Sequence, residues 1–169
     1  MTDFHALYVR YAPQVHRFAL FLCDDPTLAD DITSDTFVRA WTAPGVIRHE
    51  TVKAYLFTIA RNLYFDSIRH RRRHAVLGEA IPDGRVSPQK QAEVRSDLDL
   101  VLAAMRELPE IDRAALLLRV QEEMSYEEIS QALGLSLAAV KVKIHRARLN
   151  LMRAVKAPES RSRASEEGS

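Results

Sequence analysis

The stretch that most constrains this chain runs from Ser125 to about Val155, where two helix starts flank a single glycine. Ser125-Tyr126-Glu127-Glu128 has the capping-box form. In it a serine hydroxyl and a glutamate three residues on each satisfy a backbone N–H at a helix start. Ile129, Ala132 and Leu133 then share one face of a short helix, and Gly134 supplies the left-handed conformation that closes a helix. Ser136 can cap a second helix, in which Leu137, Val140, Ile144, Ala147 and Leu151 recur at helical spacing. A capped helix, a glycine turn and a second capped helix predict a helix-turn-helix. Ala138, Val142, His145 and Arg146 lie opposite the apolar stripe, flanked by Lys141 and Lys143, with Arg148 and Arg153 further along. A buried stripe backed by a basic face suits a helix lying in a DNA major groove. Ala138 and Ala139 permit close approach, and Arg146 can pair with a guanine edge. The lysines suit phosphates, which position without specifying. A plain helical hairpin with a solvated basic face is the alternative. The capping, the glycine and the segregation of faces together weigh against it.

The rest of the chain is equally helical in pattern. In 169 residues there are only 5 glycines, and alternating β-branched runs are few. The expected class is all-α, with two small helical domains, a three-helix unit and the helix-turn-helix unit, joined by a flexible linker. Net charge is +1, lower than many nucleic-acid binders carry, so the clustering of positive groups matters more than their sum. The single cysteine, Cys23, excludes an internal disulfide framework and reads as a small buried apolar residue. No apolar run is long enough to span a bilayer, and the start lacks a signal-peptide pattern. A cytoplasmic location without membrane insertion is therefore expected.

Three helices are predicted in the first half. The first, capped at Thr2 or Asp3, places Leu7, Tyr11, Val15, Phe18, Ala19 and Leu22 inward, with Pro13 inside the pattern. Asp24-Asp25-Pro26-Thr27 ends it and starts the second, which runs to about Trp41. There Ala29, Ile32, Phe37, Ala40 and Trp41 form the apolar face, and Asp31, Ser34, Asp35 and Val38 the opposite one. The third, capped by Thr51, runs from about Val52 to Arg73 with Val52, Leu56, Ile59 and Leu63 inward. Its Arg69–His74 end holds more positive charge than a helix dipole needs, which calls for an anion nearby. Linker composition marks a boundary, giving domains over 1–76 and 98–157 with a linker over 77–97. The second half begins with a helix around Leu98, Val101, Leu102, Met105 and Leu108, stopped by Pro109, and another over Ile111 to Val120. Residues 158–169 have the composition of a disordered tail.

These segments, taken in order, resemble a known family. Leu108-Pro109, Met124 to Ile129, Leu133-Gly134 and Val140 to Arg148 resemble the fourth region of bacterial extracytoplasmic function (ECF) sigma factors. Ala29 to Trp41 looks like that family's core-polymerase-binding segment. Ala54 to Leu63, with Asp66 and Arg69 to Arg73, looks like its promoter-melting helix. The resemblance implies a non-enzymatic subunit of RNA polymerase that recognises −35 and −10 promoter elements and assists melting. Its implied partners are core RNA polymerase, promoter DNA and an anti-sigma factor, with no cofactor, no metal and no catalytic residue. Carried over by position, Asp31, Ser34, Asp35 and Val38 meet the polymerase, and Arg61, Asn62, Asp66, Arg69, Arg72 and Arg73 serve the −10 element. Asn62 and Asp66, one turn apart, would read a base that has left the stack, with the Ala43–Glu50 loop closing over it. Ser136, Lys141, Val142, Lys143, His145 and Arg146 serve the −35 element. Ser34-Asp35 stands where the family commonly has Gln-Glu, and Val142 where it often has Ser.

Two other classes compete. A one-component helix-turn-helix regulator accounts for the second half but not for Asp31, Ser34 and Asp35 together with Asn62 and Asp66. A metalloenzyme could use His70 and His74, at i, i+4 spacing, but no third ligand is suggested and the surrounding arginines would repel a cation. Tyr64 and Phe65 are available for stacking on bases, although such residues are more often core.

Overall fold

A computed structural model describes residues 3–43, 52–78 and 97–166, with side chains as far as Lys156. Thr51 and the loop from Pro44 to Glu50 lie outside the described residues, as does most of the linker. Seven helices are present among the described residues: α1 Phe4–Cys23, α2 Pro26–Thr42, α3 Val52–Val76, α4 Asp97–Glu107, α5 Glu110–Val120, α6 Tyr126–Leu133 and α7 Leu137–Glu166. This is the expected all-α class.

Helices α1, α2 and α3 pack against one another as one bundle. Asp3 caps α1, accepting from the His5 N–H at 3.0 Å, and the helix continues through Pro13. Asp24 closes α1 in the left-handed region at φ 53°, a conformation that Asp tolerates better than most residues. The buried Asp25 then caps α2, one carboxylate oxygen accepting from the Thr27 and Leu28 N–H groups at 3.1 and 3.2 Å. Its other oxygen accepts from Arg71 near the end of α3 at 3.0 Å, so one acidic side chain ties the start of α2 to α3. Val15, Phe18, Ala19 and Leu22 meet Phe57 and Ala60 in the core, with the Phe18 and Phe57 rings edge to face at 5.2 Å. Cys23 is buried as expected, and that burial pushes its thiol up.

Three expectations for the first bundle need correction. Trp41, assigned to the apolar face, is 65% exposed and leans its ring edge on Phe4 at 4.4 Å. Thr33 and Thr36 are buried in its place, each hydroxyl donating to the carbonyl four residues back, which removes the cost of burying it. Phe57 and Tyr64 join the core beside the predicted Leu56, while Ile59 and Leu63 are only half-buried. Helix α3 packs against neighbours on more than one side, so its buried arc is wider than a single stripe.

Helices α4 to α7 form the second unit, with α5, α4 and α6 all packed on α7. Helical spacing predicts an apolar face on α4, yet no residue within it is buried and Leu98 is 65% exposed. It lies at the edge of the unit against α7. Helix α5 is the reverse: Asp112 to Leu118 are all buried, including two charged residues that composition alone would place outside. The backbone of α7 stays helical to Glu166, so the tail read as disordered from Pro158 is helical over most of its length.

The two units touch. Helix α3 packs on α6 and α1 on α5. The buried Glu122 carboxylate accepts from Arg17 Nη2 at 2.9 Å and Nε at 3.3 Å, and Lys53 donates to the Glu122 carbonyl. Arg106 pairs with Asp24 at 2.9 Å. Arg113 donates to the Tyr64 hydroxyl at 3.1 Å and caps the end of α4 through the Met105 and Arg106 carbonyls. Burial raises the Tyr64 hydroxyl pKa, and the nearby Arg113 charge opposes that shift.

Candidate nucleic-acid interface

The helix-turn-helix forms as its sequence prescribes. The Ser125 hydroxyl accepts from the Glu128 N–H at 3.1 Å, and the Glu128 carboxylate accepts from the Ser125 N–H at 3.3 Å. Gly134 takes φ 64° and ψ 36°, and the Leu135 N–H reaches back to the Ser130 carbonyl at 3.1 Å. Ser136 caps α7 through the Ala139 N–H at 3.1 Å. Val140, Ile144 and Ala147 are buried, which fixes the rotation of α7. Lys141, Val142, His145, Arg146 and Arg148 are therefore left exposed.

Two of the expected duplex-facing residues have a partner that the sequence reading missed. Arg146 donates from Nε to Asp112 Oδ2 at 2.7 Å and from Nη2 to Oδ1 at 2.9 Å. Lys143 Nζ reaches the same Oδ1 at 3.5 Å and is only half-exposed. Donating to the Asp112 carboxylate raises the Arg146 pKa. Lys141 lies over the Tyr126 ring at 5.9 Å, and Arg119 covers that ring at 4.5 Å. Cation–ring contacts of this kind restrain both side chains.

The second basic surface lies along α3. Asn62, Asp66, Arg69 and Arg73 are exposed and recur at the spacing of one helical stripe. Three of these side chains are engaged on the same helix: Arg61 donates to Asn62 Oδ1 at 2.8 Å, and Arg69 donates to Asp66. The Arg61 guanidinium also stands 5.2 Å from the Phe65 ring centroid. Arg72 is exposed and 3.7 Å from Glu110 of α5. Arg71, in the same cluster, faces inward to Asp25. Tyr64 is core, whereas Phe65 is half-buried beside it at 5.4 Å. The His70 and His74 rings meet edge to face at 4.1 Å, and no cluster of three metal-ligating side chains occurs among the described residues.

The third surface is on α2. Asp31, Ser34, Asp35 and Val38 are all exposed, Val38 by 59%. Beside them opens a groove between α1 and α2, with Tyr8, Val9 and Pro13 on one wall and Thr33 and Ser34 on the other. His16 spans it to Asp30 at 2.9 Å. The exposed Tyr8 and Val9 lie outside the apolar stripe that helical spacing predicts for α1.

Comparison with known proteins identifies the family of the chain. The family models for sigma-70 region 2 and sigma-70 region 4 match residues 7–74 and 98–151. A region 2 bundle followed by a region 4 helix-turn-helix defines an RNA polymerase sigma factor. The ECF RNA polymerase sigma factor SigM of Bacillus subtilis is 32% identical over 150 residues, covering 86% of this chain and 90% of its own. The ECF sigma factor SigL of Mycobacterium tuberculosis is 33% identical over 144 residues, covering 83% and 81%. Among solved structures, the sigma factor RpoE of Bartonella quintana, in complex with the anti-sigma factor NepR, superposes with a TM-score of 0.72 at 27% identity, covering 93% of this chain and 99% of that one. CnrH in complex with the cytosolic domain of CnrY gives 0.68 at 27% identity, covering 91% and 88%. The chain belongs to the ECF family of RNA polymerase sigma factors. It is an alternative sigma factor, a DNA-binding initiation factor that binds core polymerase and directs transcription from promoters. No helix among the described residues is long and apolar enough to cross a membrane.

Proposed function

We propose that the work of this sigma factor is divided among the three surfaces. The α3 stripe captures the −10 element, with Asn62 and Asp66 reading one unstacked base. Arg61, Arg69, Arg72 and Arg73 hold the surrounding phosphates. The exposed face of α7 reads the −35 duplex through Val142, His145 and Arg146, while Lys141 and Lys143 bind phosphates and Ser136 sits at the helix start. Asp31, Ser34, Asp35 and Val38 dock on core polymerase, an acidic face around one apolar residue. Residues 1–76 and 98–157 are the two working domains, and the protein carries no chemistry of its own. It acts in the cytoplasm and is held in check by an anti-sigma factor, as its structural neighbours RpoE and CnrH are found in complexes with NepR and CnrY.

One observation carries this reading. Asn62 and Asp66 stand exposed one turn apart on a helix whose other side is locked by Phe57 and Ala60. A recognition pair on a rigid helix is what capture of a single base requires. The test is reconstitution: the full chain with core polymerase, presented with a promoter library, should initiate from a defined subset that neither component uses alone. Initiation unaltered by Asn62→Ala and Asp66→Ala would remove the −10 assignment.

A further inference from the structure

We propose that Asp112 is a positioning residue for promoter reading: it grips one edge of the Arg146 guanidinium and leaves the other edge aimed at a guanine of the −35 element. The inference rests on the assignment of Arg146 to the upstream duplex and adds to it a residue on a different helix. Asp112 lies in the first turn of α5, where Pro109 provides no side-chain cap. The positive end of the α5 dipole favours a carboxylate there. The side chain is fully buried, and its partners are Arg146 and Lys143 of α7. A buried carboxylate must be paired, so this one fixes whatever it pairs with.

The atoms that pair decide the consequence. A guanidinium has five N–H groups in a plane. Nε and one Nη2 hydrogen go to the two carboxylate oxygens, at 2.7 and 2.9 Å. That is the side-on pairing. It leaves the outer edge, with one Nη1–H and the second Nη2–H, pointing away from the carboxylate as a parallel fork. Such a fork matches the O6 and N7 acceptors of guanine in the major groove. The Arg146 side chain is still 51% exposed while its partner is fully buried. The pair therefore covers the acid and leaves the outer edge of the base open to solvent. Arg146 also shares the outward face with Val142 and His145, one turn and one residue away. An unheld arginine must be ordered when DNA arrives, whereas this one is ordered beforehand. Lys143, at 3.5 Å from the same Oδ1, adds a second positive group against the acid.

The experiment uses holoenzyme assembled from core polymerase and the full chain, with duplexes randomised across the upstream promoter element. Bound DNA is sequenced for the wild type, Arg146→Ala, Asp112→Asn and Asp112→Ala. Arg146→Ala should abolish a guanine preference at one position. Asp112→Asn keeps the size of the side chain but cannot accept from both nitrogens. It should reduce the preference at that same position by roughly five- to twentyfold and leave the other positions unchanged. Guanine preference undiminished in both Asp112 variants would make the pair merely structural and overturn the proposal. Tighter binding of all sequences by those variants would show that Asp112 withholds Arg146 from DNA, and would overturn it too. If Arg146→Ala itself alters no position, the assignment beneath the proposal fails, a result distinct from the other two.

Discussion

The two helices proposed to meet DNA hold their outward polar groups in opposite ways. On α7 the arginine that faces outward is held across elements, by a buried acid on α5. On α3 the proposed base-reading pair is held within its own helix, Asn62 by Arg61 and Asp66 by Arg69, while Arg72 reaches across to Glu110 of α5 at 3.7 Å. An exposed pair within one helix stabilises by about 0.2–0.5 kcal/mol, so nucleic acid can displace it at little cost. A bidentate clasp on a buried carboxylate is not given up so readily, because the acid would be stranded. The difference suits the two substrates. Duplex geometry is set before the protein arrives, and a fixed reader matches it. A base leaving the stack arrives in many poses, and groups that exchange partners easily can follow it.

The comparison breaks first if either helix loses its platform. Phe57→Ala removes the ring beneath α3 and should cost about 3–5 kcal/mol, and Ile144→Ala removes the seat of α7 at about 2–5 kcal/mol. Urea unfolding of the full chain measures both. Because the units are joined through Glu122, Arg17 and Lys53, a single cooperative transition is expected, with its midpoint lowered in both variants. Two separated transitions would show that the clasp does not couple the units.

Much of this arrangement was legible in the residues, and the exceptions share a cause. Ser125, Glu128, Gly134 and Ser136 act on their immediate neighbours, so spacing alone located the helix-turn-helix. The outward placement of the acidic α2 face followed from helical period, whereas Asn62 and Asp66 were marked by the family resemblance. What escaped was long-range. Asp112 meets a partner 34 residues away and Arg113 one 49 residues away, and no local spacing marks either residue. Trp41 failed for a related reason. Hydrophobicity placed it inward, but the arc of α2 facing the bundle was already filled by Ile32, Thr33, Thr36, Phe37 and Ala40.

A sharper contrast comes from truncating one reader on each helix. Asn62→Ala should lose about 1–3 kcal/mol of base discrimination, the range for a good paired contact, and lose it in open-complex formation on a −10 element. Permanganate footprinting measures that loss, while binding to an upstream duplex should stay as in the wild type. Arg146→Ala should weaken upstream duplex binding and leave melting of a preformed bubble unchanged. If both variants failed at the same step, the division of labour between α3 and α7 would be wrong.

The helix ends allow a further comparison at smaller scale. Both units close a helix in the left-handed region, at Asp24 with φ 53° and at Gly134 with φ 64°. A Cβ on Gly134 would meet nothing within 4 Å. Gly134→Ala should therefore cost only the backbone strain, about 1–2 kcal/mol. Thermal unfolding checks it, and Gly134→Asn should recover part of the loss, since Asn tolerates this region.

The smallest effect is also the most discriminating. Arg69→Ala removes one half of the exposed pair with Asp66, and such a pair contributes at most about 0.5 kcal/mol. The melting temperature should hardly move. Binding to −10 DNA should nevertheless weaken about equally for every sequence, and the slope of log affinity against log salt should fall by about 1, as for one lost phosphate contact. Arg71→Ala, two residues on and on the opposite side of the helix, should do the reverse. Its guanidinium is committed to the buried Asp25 cap, so stability should drop while the salt slope stays. Two arginines two residues apart on one helix would then divide cleanly, one serving DNA and the other the fold. A loss of stability in Arg69→Ala comparable to that of Arg71→Ala would mean that the α3 pairs are structural, and the contrast with α7 would not hold.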